Sequence, residues 1–265
     1  MNITVIGGGN MGLTYALSIH KNFDEATIAI IEKDAEKITH LKNTTPFAIH
    51  TNENECLTNA NIILLAVKPQ ASNLVFKNIA HLIKPNQLII SIMAGVTMES
   101  IKIGLNATKI VRAMPNLPAQ VGRGVTGYLL SDTITLDEGL QIQQILSATG
   151  KAIKVFNEDA IDAITALSGS GPAYVFYFMN AMIEQAAAFG FNEKEAKSII
   201  LQTFLGTASL FEKSEDSAQL WIDRVTSKGG TTHAAVTSFK ADQLNESIKK
   251  GVDQAFKRAK ELAKI

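Results

Sequence analysis

Three glycines near the start of the chain carry the first recognisable chemistry. Gly7, Gly9 and Gly12 stand in the run Gly7-Gly8-Gly9-Asn10-Met11-Gly12. A β-branched stretch, Ile3–Ile6, precedes them, and Leu13, Ala16, Leu17 and His20 follow at helical spacing. A strand, a glycine turn and a helix in that order suit a dinucleotide. Gly7 permits a tight turn, Gly9 lets the backbone approach a pyrophosphate, and Gly12 lets helix and strand pack closely. The free N–H groups of the first helical turn, at Asn10, Met11 and Gly12, would receive the diphosphate. The plain alternative is a glycine turn with no ligand. Glu32 lies twenty positions after Gly12, at the end of the second strand-like run. An acid there accepts hydrogen bonds from the adenosine ribose and disfavours a 2′-phosphate. Lys33 follows it and can attract that phosphate, so the two residues pull in opposite directions.

Further strand ends supply the rest of this pocket. In open α/β sheets ligands sit outside the carboxyl ends of the strands. Ala66-Val67-Lys68-Pro69 and the turn at Ala94 and Gly95 should therefore border the cofactor. Pro115 and Asn116 end the next strand, and the Asn116 side chain could bond a nicotinamide carboxamide. The small Ala94 and Gly95 leave room for a flat ring.

A second cluster lies far downstream. Gly229-Gly230-Thr231-Thr232 opens a helical pattern and aims several backbone N–H groups at one point, with hydroxyls added by Thr231 and Thr232. A small carboxylate is a natural guest for such a turn. The bland alternative is a surface helix cap.

The elements that must position these residues fall into two blocks. Strand-like runs occur at 3–6, 27–31, 62–67, 88–92, 109–114, 125–130 and 152–156, with helical patterns between several of them. Their lack of polar alternation suits parallel strands buried on both faces. The expected fold is therefore an α/β Rossmann-like doubly wound sheet over 1–157, followed by an all-α domain over 158–265. The second block has helical patterns at 159–189, 192–213, 216–226, 232–239 and 242–264, with Asn192 and Asp242 as N-caps and Gly190 as a helix end. Gly169-Ser170-Gly171-Pro172 should kink or split the first of them. Tyr174 to Met179 is apolar on every face, which calls for cover from a second copy of the chain.

Composition narrows the function classes. The 265 residues are 46% apolar, enough for a substantial core, and balance 25 Lys plus Arg against 25 Asp plus Glu. A zero net charge argues against a nucleic-acid binder. The densest apolar stretch is too short to span a membrane. One cysteine, Cys56, fits a reducing cytoplasm, and the five histidines show no metal-ligand spacing, so no metal site is expected.

The motifs taken together resemble a known family. GGGNMG, AVKPQ, VRAMPNLPAQVGRGVTGY, LSGSGPAYVFYF and VTSKGGTTHAAV occur in this order. They look like pyrroline-5-carboxylate reductase, the last enzyme of proline synthesis. The resemblance implies NADPH or NADH as cofactor, a tight homodimer through the helical domain, and in some members a ring of dimers. It implies that the N–H groups of Gly230 and Thr231 hold the substrate carboxylate, and that the Thr232 hydroxyl lies at the ring nitrogen. Glu215 would face that nitrogen, and Val225 would pack near the ring. Lys228, Arg224, Asn180 and Leu117 depart from the usual pattern, and Glu32 replaces an Asn-Arg region common in users of the phosphorylated cofactor. Coenzyme choice thus stays open between NADH and NADPH.

An imine carbon accepts hydride well only when its nitrogen is protonated or hydrogen-bonded. Thr232 is the expected donor at nitrogen and Glu215 the expected electrostatic partner of the iminium. Two other classes fit less well. A β-hydroxyacid dehydrogenase needs a Lys or His on the helix after Gly171, where none precedes Lys194. A non-enzymatic dinucleotide sensor would consume no reduced nicotinamide when given an imine.

Overall fold

The computed structural model describes residues 1–263, apart from the side chains of Asn54 and Glu55. Strands and helices alternate through β1 (Asn2–Ile6), α1 (Asn10–Asn22), β2 (Thr27–Ile31), α2 (Ala35–Thr44), β3 (Ala48–His50), α3 (Asn54–Leu57) and β4 (Ile62–Leu65). They continue through α4 (Ser72–Ile79), β5 (Leu88–Ser91), α5 (Met98–Leu105), β6 (Ile110–Met114), β7 (Gly124–Leu130), α6 (Leu136–Ser147), β8 (Gly150–Lys154) and α7 (Glu158–Ile164). One sheet runs in the order β3-β2-β1-β4-β5-β6-β7-β8, parallel throughout except where β7 meets β6. Side chains alternate across it, so two apolar layers form. Ile3, Val5, Ile62, Leu64, Leu88 and Ile90 join one cluster. Ile6, Ile63, Leu65 and Ile89 join the other. This is the expected doubly wound sheet with one short strand added, β3, pairing Ala29 with Ala48 and Ile31 with His50.

Register decides where the sheet can bind a ligand. Ile6 pairs with Ile31 on one side and with Leu65 on the other. The strand order reverses here, because β2 and β4 flank β1 on opposite sides. The residues after these strands, Gly7, Glu32 and Ala66, therefore leave the sheet at one end. Two backbone bonds keep the exits together, Gly7 N–H to Ile31 O at 2.9 Å and Ala66 N–H to Ile6 O at 2.9 Å. α1 is anchored from beneath by Tyr15, whose hydroxyl lies 2.7 Å from that of Thr126 on β7. Burial pushes the Tyr15 phenol pKa up, so the group stays a neutral hydrogen-bonding anchor.

The remaining helices follow a π turn at Thr165–Gly169, in which Ser170 N–H donates to Thr165 O at 2.9 Å. The kink expected around Gly169–Pro172 takes this form, and α8 (Gly171–Ala188) starts beyond it. Gly190 adopts φ +97°, a left-handed conformation that lets Phe191 N–H close the helix end on Ala186 O. Asn192 caps α9 (Glu193–Glu212) in a reciprocal box with Glu195. α10 (Ala218–Val225) is capped by Ser217, and α11 (Thr231–Ala241) starts at Gly230. Asp242 does not cap the last helix as its sequence suggested. It closes α11, and Gln243 at φ +53° redirects the chain into α12 (Leu244–Leu262). Lys264, the expected end of that helix, lies outside the described residues. No helix among the described residues is long and apolar enough to cross a membrane.

Two compact units result. One comprises Met1–Pro172 with the chain from Ala255 onward, the other Ala173–Gln254. α7 belongs with the sheet for a physical reason. Arg112 of β6, 1% exposed, reaches Asp162 of α7 at 2.7 Å and also pairs with Glu158. A buried guanidinium requires such partners. The second unit buries little of its own apolar surface. Phe176 and Tyr177 of α8 are 60% and 83% exposed, and Phe178, Leu205 and Phe211 are also exposed.

Candidate active site

The glycine turn has the shape the sequence suggested. Gly7 takes φ +103°, and a Cβ there would lie 2.8 Å from the Ala66 carbonyl oxygen. A Cβ on Gly12 would lie 2.0 Å from the Gly7 carbonyl oxygen, so α1 can approach β1 only with glycine at this position. Gly9 differs from both. Its φ is −72°, and an added Cβ would meet nothing within 4 Å. Its lack of a side chain is therefore not required by packing, and it leaves the turn open to a ligand. Gly9 is the N-cap of α1, no side chain caps this end, and no acid stands in its first turn. The N–H groups of Asn10, Met11 and Gly12 precede the first helical bond, Leu13 N–H to Gly9 O at 2.9 Å. These features fit a diphosphate.

Glu32 sits at the rim of this turn. Its Oε2 accepts from Gly8 N–H at 3.0 Å, and its Oε1 accepts from Lys33 N–H at 2.8 Å and Asp34 N–H at 3.0 Å. Sequence reasoning missed Gly8, because the glycine motif leaves its position free. The structure gives it a packing role as well, since a Cβ there would come within 2.5 Å of Leu41. The Lys33 ammonium turns to Glu53, with Nζ 2.6 Å from Oε1. Burial opposes ionisation of Glu53, but the hydrogen bond and charge of Lys33 outweigh it, and its carboxyl titrates below the usual value.

The other strand-end residues gather at the same edge. Ala66 and Val67 follow β4, with Val67 close enough that a Cβ on Gly7 would touch it. Lys68 and Pro69 then start a 3-10 turn. Ala94 and Gly95 form a turn after β5, with Gly95 at φ +73°. Leu262, in the last turn of α12, packs so closely here that a Cβ on Gly95 would lie 2.9 Å from its Cβ. Glu158 accepts the Met98 N–H at 2.8 Å and so holds the start of α5, where this loop ends. That bond had no signal in the sequence. Pro115 and Asn116 follow β6. The Asn116 amide has an internal task, accepting from Val125 N–H at 2.8 Å and donating to the Ser168 hydroxyl at 3.0 Å. Its carbonyl end fixes β7, and only one amide proton stays outside these bonds.

In the second unit, Gly229 at φ +75° turns the chain into α11. The Gly230 N–H donates to Ser227 O at 3.0 Å, closing the turn. The family resemblance implies a substrate carboxylate as partner for that N–H; in this structure it makes the bond that closes the loop. The first helical bond is Ala234 N–H to Gly230 O at 3.1 Å, so the N–H groups of Thr231, Thr232 and His233 precede it. No side chain caps this end and no acid occupies its first turn. Glu215 is exposed in the loop between α9 and α10. Its neighbour Asp216 holds Arg224 at 2.5 Å, and Arg224 stacks on Trp221 at 4.8 Å. Val225 ends α10 and lines an apolar groove of about 590 Å³ with Phe178, Phe204, Phe211 and Trp221. Among the described residues, neither the Glu215 carboxylate nor the Thr232 hydroxyl has a hydrogen-bonding partner in the chain.

Known proteins resemble this chain along nearly its whole length. Residues 158–262 match the family model for pyrroline-5-carboxylate reductase dimerisation, and residues 2–95 match the model described as NADP oxidoreductase, coenzyme F420-dependent. The chain is 35% identical over 263 residues to the pyrroline-5-carboxylate reductase of Pseudomonas aeruginosa, covering 98% of this chain and 96% of that one. It is 34% identical to the Synechocystis enzyme of the same name, over 100% of this chain and 99% of the relative. The solved structure of a pyrroline-5-carboxylate reductase from Coxiella burnetii superposes with a TM-score of 0.91 at 35% identity, over 100% and 99% of the two chains. That of the Plasmodium falciparum pyrroline carboxylate reductase, with NADP bound, gives 0.88 at 25% identity over 99% and 98%. An N-terminal sheet with an open glycine turn, a helical second unit and similarity along nearly its whole length place this chain in the pyrroline-5-carboxylate reductase family.

Proposed function

We propose that the chain reduces the carbon–nitrogen double bond of 1-pyrroline-5-carboxylate to L-proline in the cytoplasm, the closing step of proline synthesis. The observation that carries this reading is the open Gly9 turn on a chain that aligns end to end with reductases of that name. The sheet unit, Met1–Pro172 with the chain from Ala255 onward, serves the dinucleotide, and the unit Ala173–Gln254 serves substrate and dimer. When bound, reduced nicotinamide supplies a hydride. The chain's residues supply placement and charge. The α1 N-terminus receives the diphosphate, and the turns at Ala66–Pro69 and Ala94–Gly95 border the nicotinamide end. The N–H groups at Thr231 and Thr232 hold the substrate carboxylate. The Thr232 hydroxyl donates to the ring nitrogen, which raises the electrophilicity of the carbon beside it. The Glu215 carboxylate favours the cationic form of that ring.

A homodimer follows from the second unit. The groove lined by Phe178, Phe204 and Trp221 and the exposed Phe176 and Tyr177 form more apolar surface than a lone unit of this size conceals. The match to a dimerisation family over this region supports a second copy as its cover. Steady-state assay with 1-pyrroline-5-carboxylate and each reduced nicotinamide tests the reaction. Stoichiometric proline formation is expected, and absence of turnover with both coenzymes would reject it.

A further inference from the structure

The coenzyme left open by the sequence is resolved by where two side chains point. We infer that Glu32 selects NADH over NADPH, an inference that rests on the dinucleotide reading above. A 2′-phosphate at the end of β2 needs donors there and an unopposed cation. The donors at this turn, the N–H groups of Gly8, Lys33 and Asp34, all bond the Glu32 carboxylate at 2.8–3.0 Å. The N–H groups that could cradle a phosphate thus already hold an anion. The lysine next to Glu32 is engaged too. The Lys33 ammonium lies 2.6 Å from a Glu53 carboxylate that is only 19% exposed.

Asp34 adds a second fixed negative charge. Its side chain caps α2, with Oδ1 3.1 Å from both Glu36 and Lys37 N–H. A phosphate arriving here meets two carboxylates in place and a lysine neutralised by a third, and like charges in contact are disfavoured by several-fold or more. A ribose hydroxyl meets the opposite situation. A carboxylate offers about four lone-pair positions, and three are used, so an acceptor remains for the 2′-hydroxyl. The Gly8 bond fixes Glu32 at the rim of the diphosphate turn, so the acceptor is in position before the ligand arrives.

The test is equilibrium binding of each reduced coenzyme to the full-length protein without imine, read by calorimetry, beside turnover with 1-pyrroline-5-carboxylate. NADH should bind at least about tenfold tighter than NADPH. Glu32→Ser, checked for native circular dichroism, should narrow or reverse that ratio, mainly by strengthening NADPH. Glu53→Gln, which releases Lys33, should narrow it as well. Equal or tighter NADPH binding by the unaltered protein would overturn the inference, as would a ratio unmoved in a folded Glu32→Ser protein. Failure of both coenzymes to bind would overturn it together with the dinucleotide reading. A clear NADH preference without turnover of the imine would uphold it and reject the proposed reaction alone.

Discussion

Arg112 Nη2 donates to Asp162 Oδ1 at 2.7 Å, joining the centre of β6 to α7 where both side chains are nearly sealed from solvent. Burial lowers the guanidinium pKa, and the charge and hydrogen bond of Asp162 counter that effect. Removing Asp162 leaves the buried guanidinium with Glu158 as its one remaining carboxylate and strips its hydrogen bond at Nη2. Asp162→Ala should therefore lose about 3–5 kcal/mol in urea unfolding. A loss below about 1 kcal/mol would show that water or Glu158 fully replaces it.

Gly9 separates packing from function. Nothing lies within 4 Å of an added Cβ, so Gly9→Ala should melt like the unaltered protein. Its dissociation constant for reduced nicotinamide should nevertheless rise by about tenfold or more, because the methyl group stands where the diphosphate approaches the backbone. Gly12→Ala, with a Cβ 2.0 Å from a backbone oxygen, should lower stability as well. Unchanged coenzyme affinity in Gly9→Ala would remove this turn from the binding site.

Thr232→Val keeps the side-chain shape and removes the hydroxyl. Turnover of the imine should fall about 100-fold, with coenzyme affinity within about twofold of normal. Glu215→Gln should raise KM for the imine more than it alters coenzyme binding. Wild-type turnover in Thr232→Val would exclude its hydroxyl from the chemistry.

Acid should loosen α6 in a predictable direction. Lys109 Nζ lies 2.5 Å from Glu138 Oε1, and Glu138 Oε2 accepts from Thr135 N–H at 3.0 Å. The Lys109 hydrogen bond, then the Thr135 backbone bond, hold the Glu138 carboxyl below its ordinary value. A carboxyl lowered on folding adds stability above its unfolded pKa of 4.5, and that stability fades as pH falls through the lower folded value. Glu138→Gln should cost about 1 kcal/mol near neutrality and less in acid, measured as urea midpoints against pH. An equal cost at every pH would assign the effect to packing.

Phe176→Glu places a charge on the exposed apolar face of α8. Sedimentation of the unaltered protein should give a dimer, and this variant should shift toward monomer. A monomeric unaltered protein would leave that face without its proposed cover.

Much of this was legible in the sequence because it rests on local rules. Runs such as Ile62–Leu65 read as buried strands since nothing polar interrupts them. Gly190 and Asn192 read as helix ends because only a left-handed residue and an oxygen-bearing cap serve there. β3 was hidden, because Ala48-Ile49-His50 is too short to show a pattern. Asp242 misled, because a capping residue suits either side of a helix junction, and Gln243 carries the turn instead. The opposing signals of Glu32 and Lys33 could not be weighed from adjacency. The contacts that weigh them lie at Gly8 and Glu53, twenty-four residues before one and twenty residues after the other. The Asn116 amide was read toward a ligand because its partners, Val125 and Ser168, are distant in the chain.

The contact between Leu262 and Gly95 bears on how this protein can be dissected. Lys260 reinforces it by reaching Asp159 at 2.8 Å while lying over Phe256. A fragment stopped at Pro172 would lack these closing turns and expose the turn at Gly95, between β5 and α5, to water. A self-sufficient sheet module therefore needs residues 255–262 grafted back onto it, and excision by a single cut would disturb the turn at Gly95 before it touched the glycine turn at Gly7–Gly12.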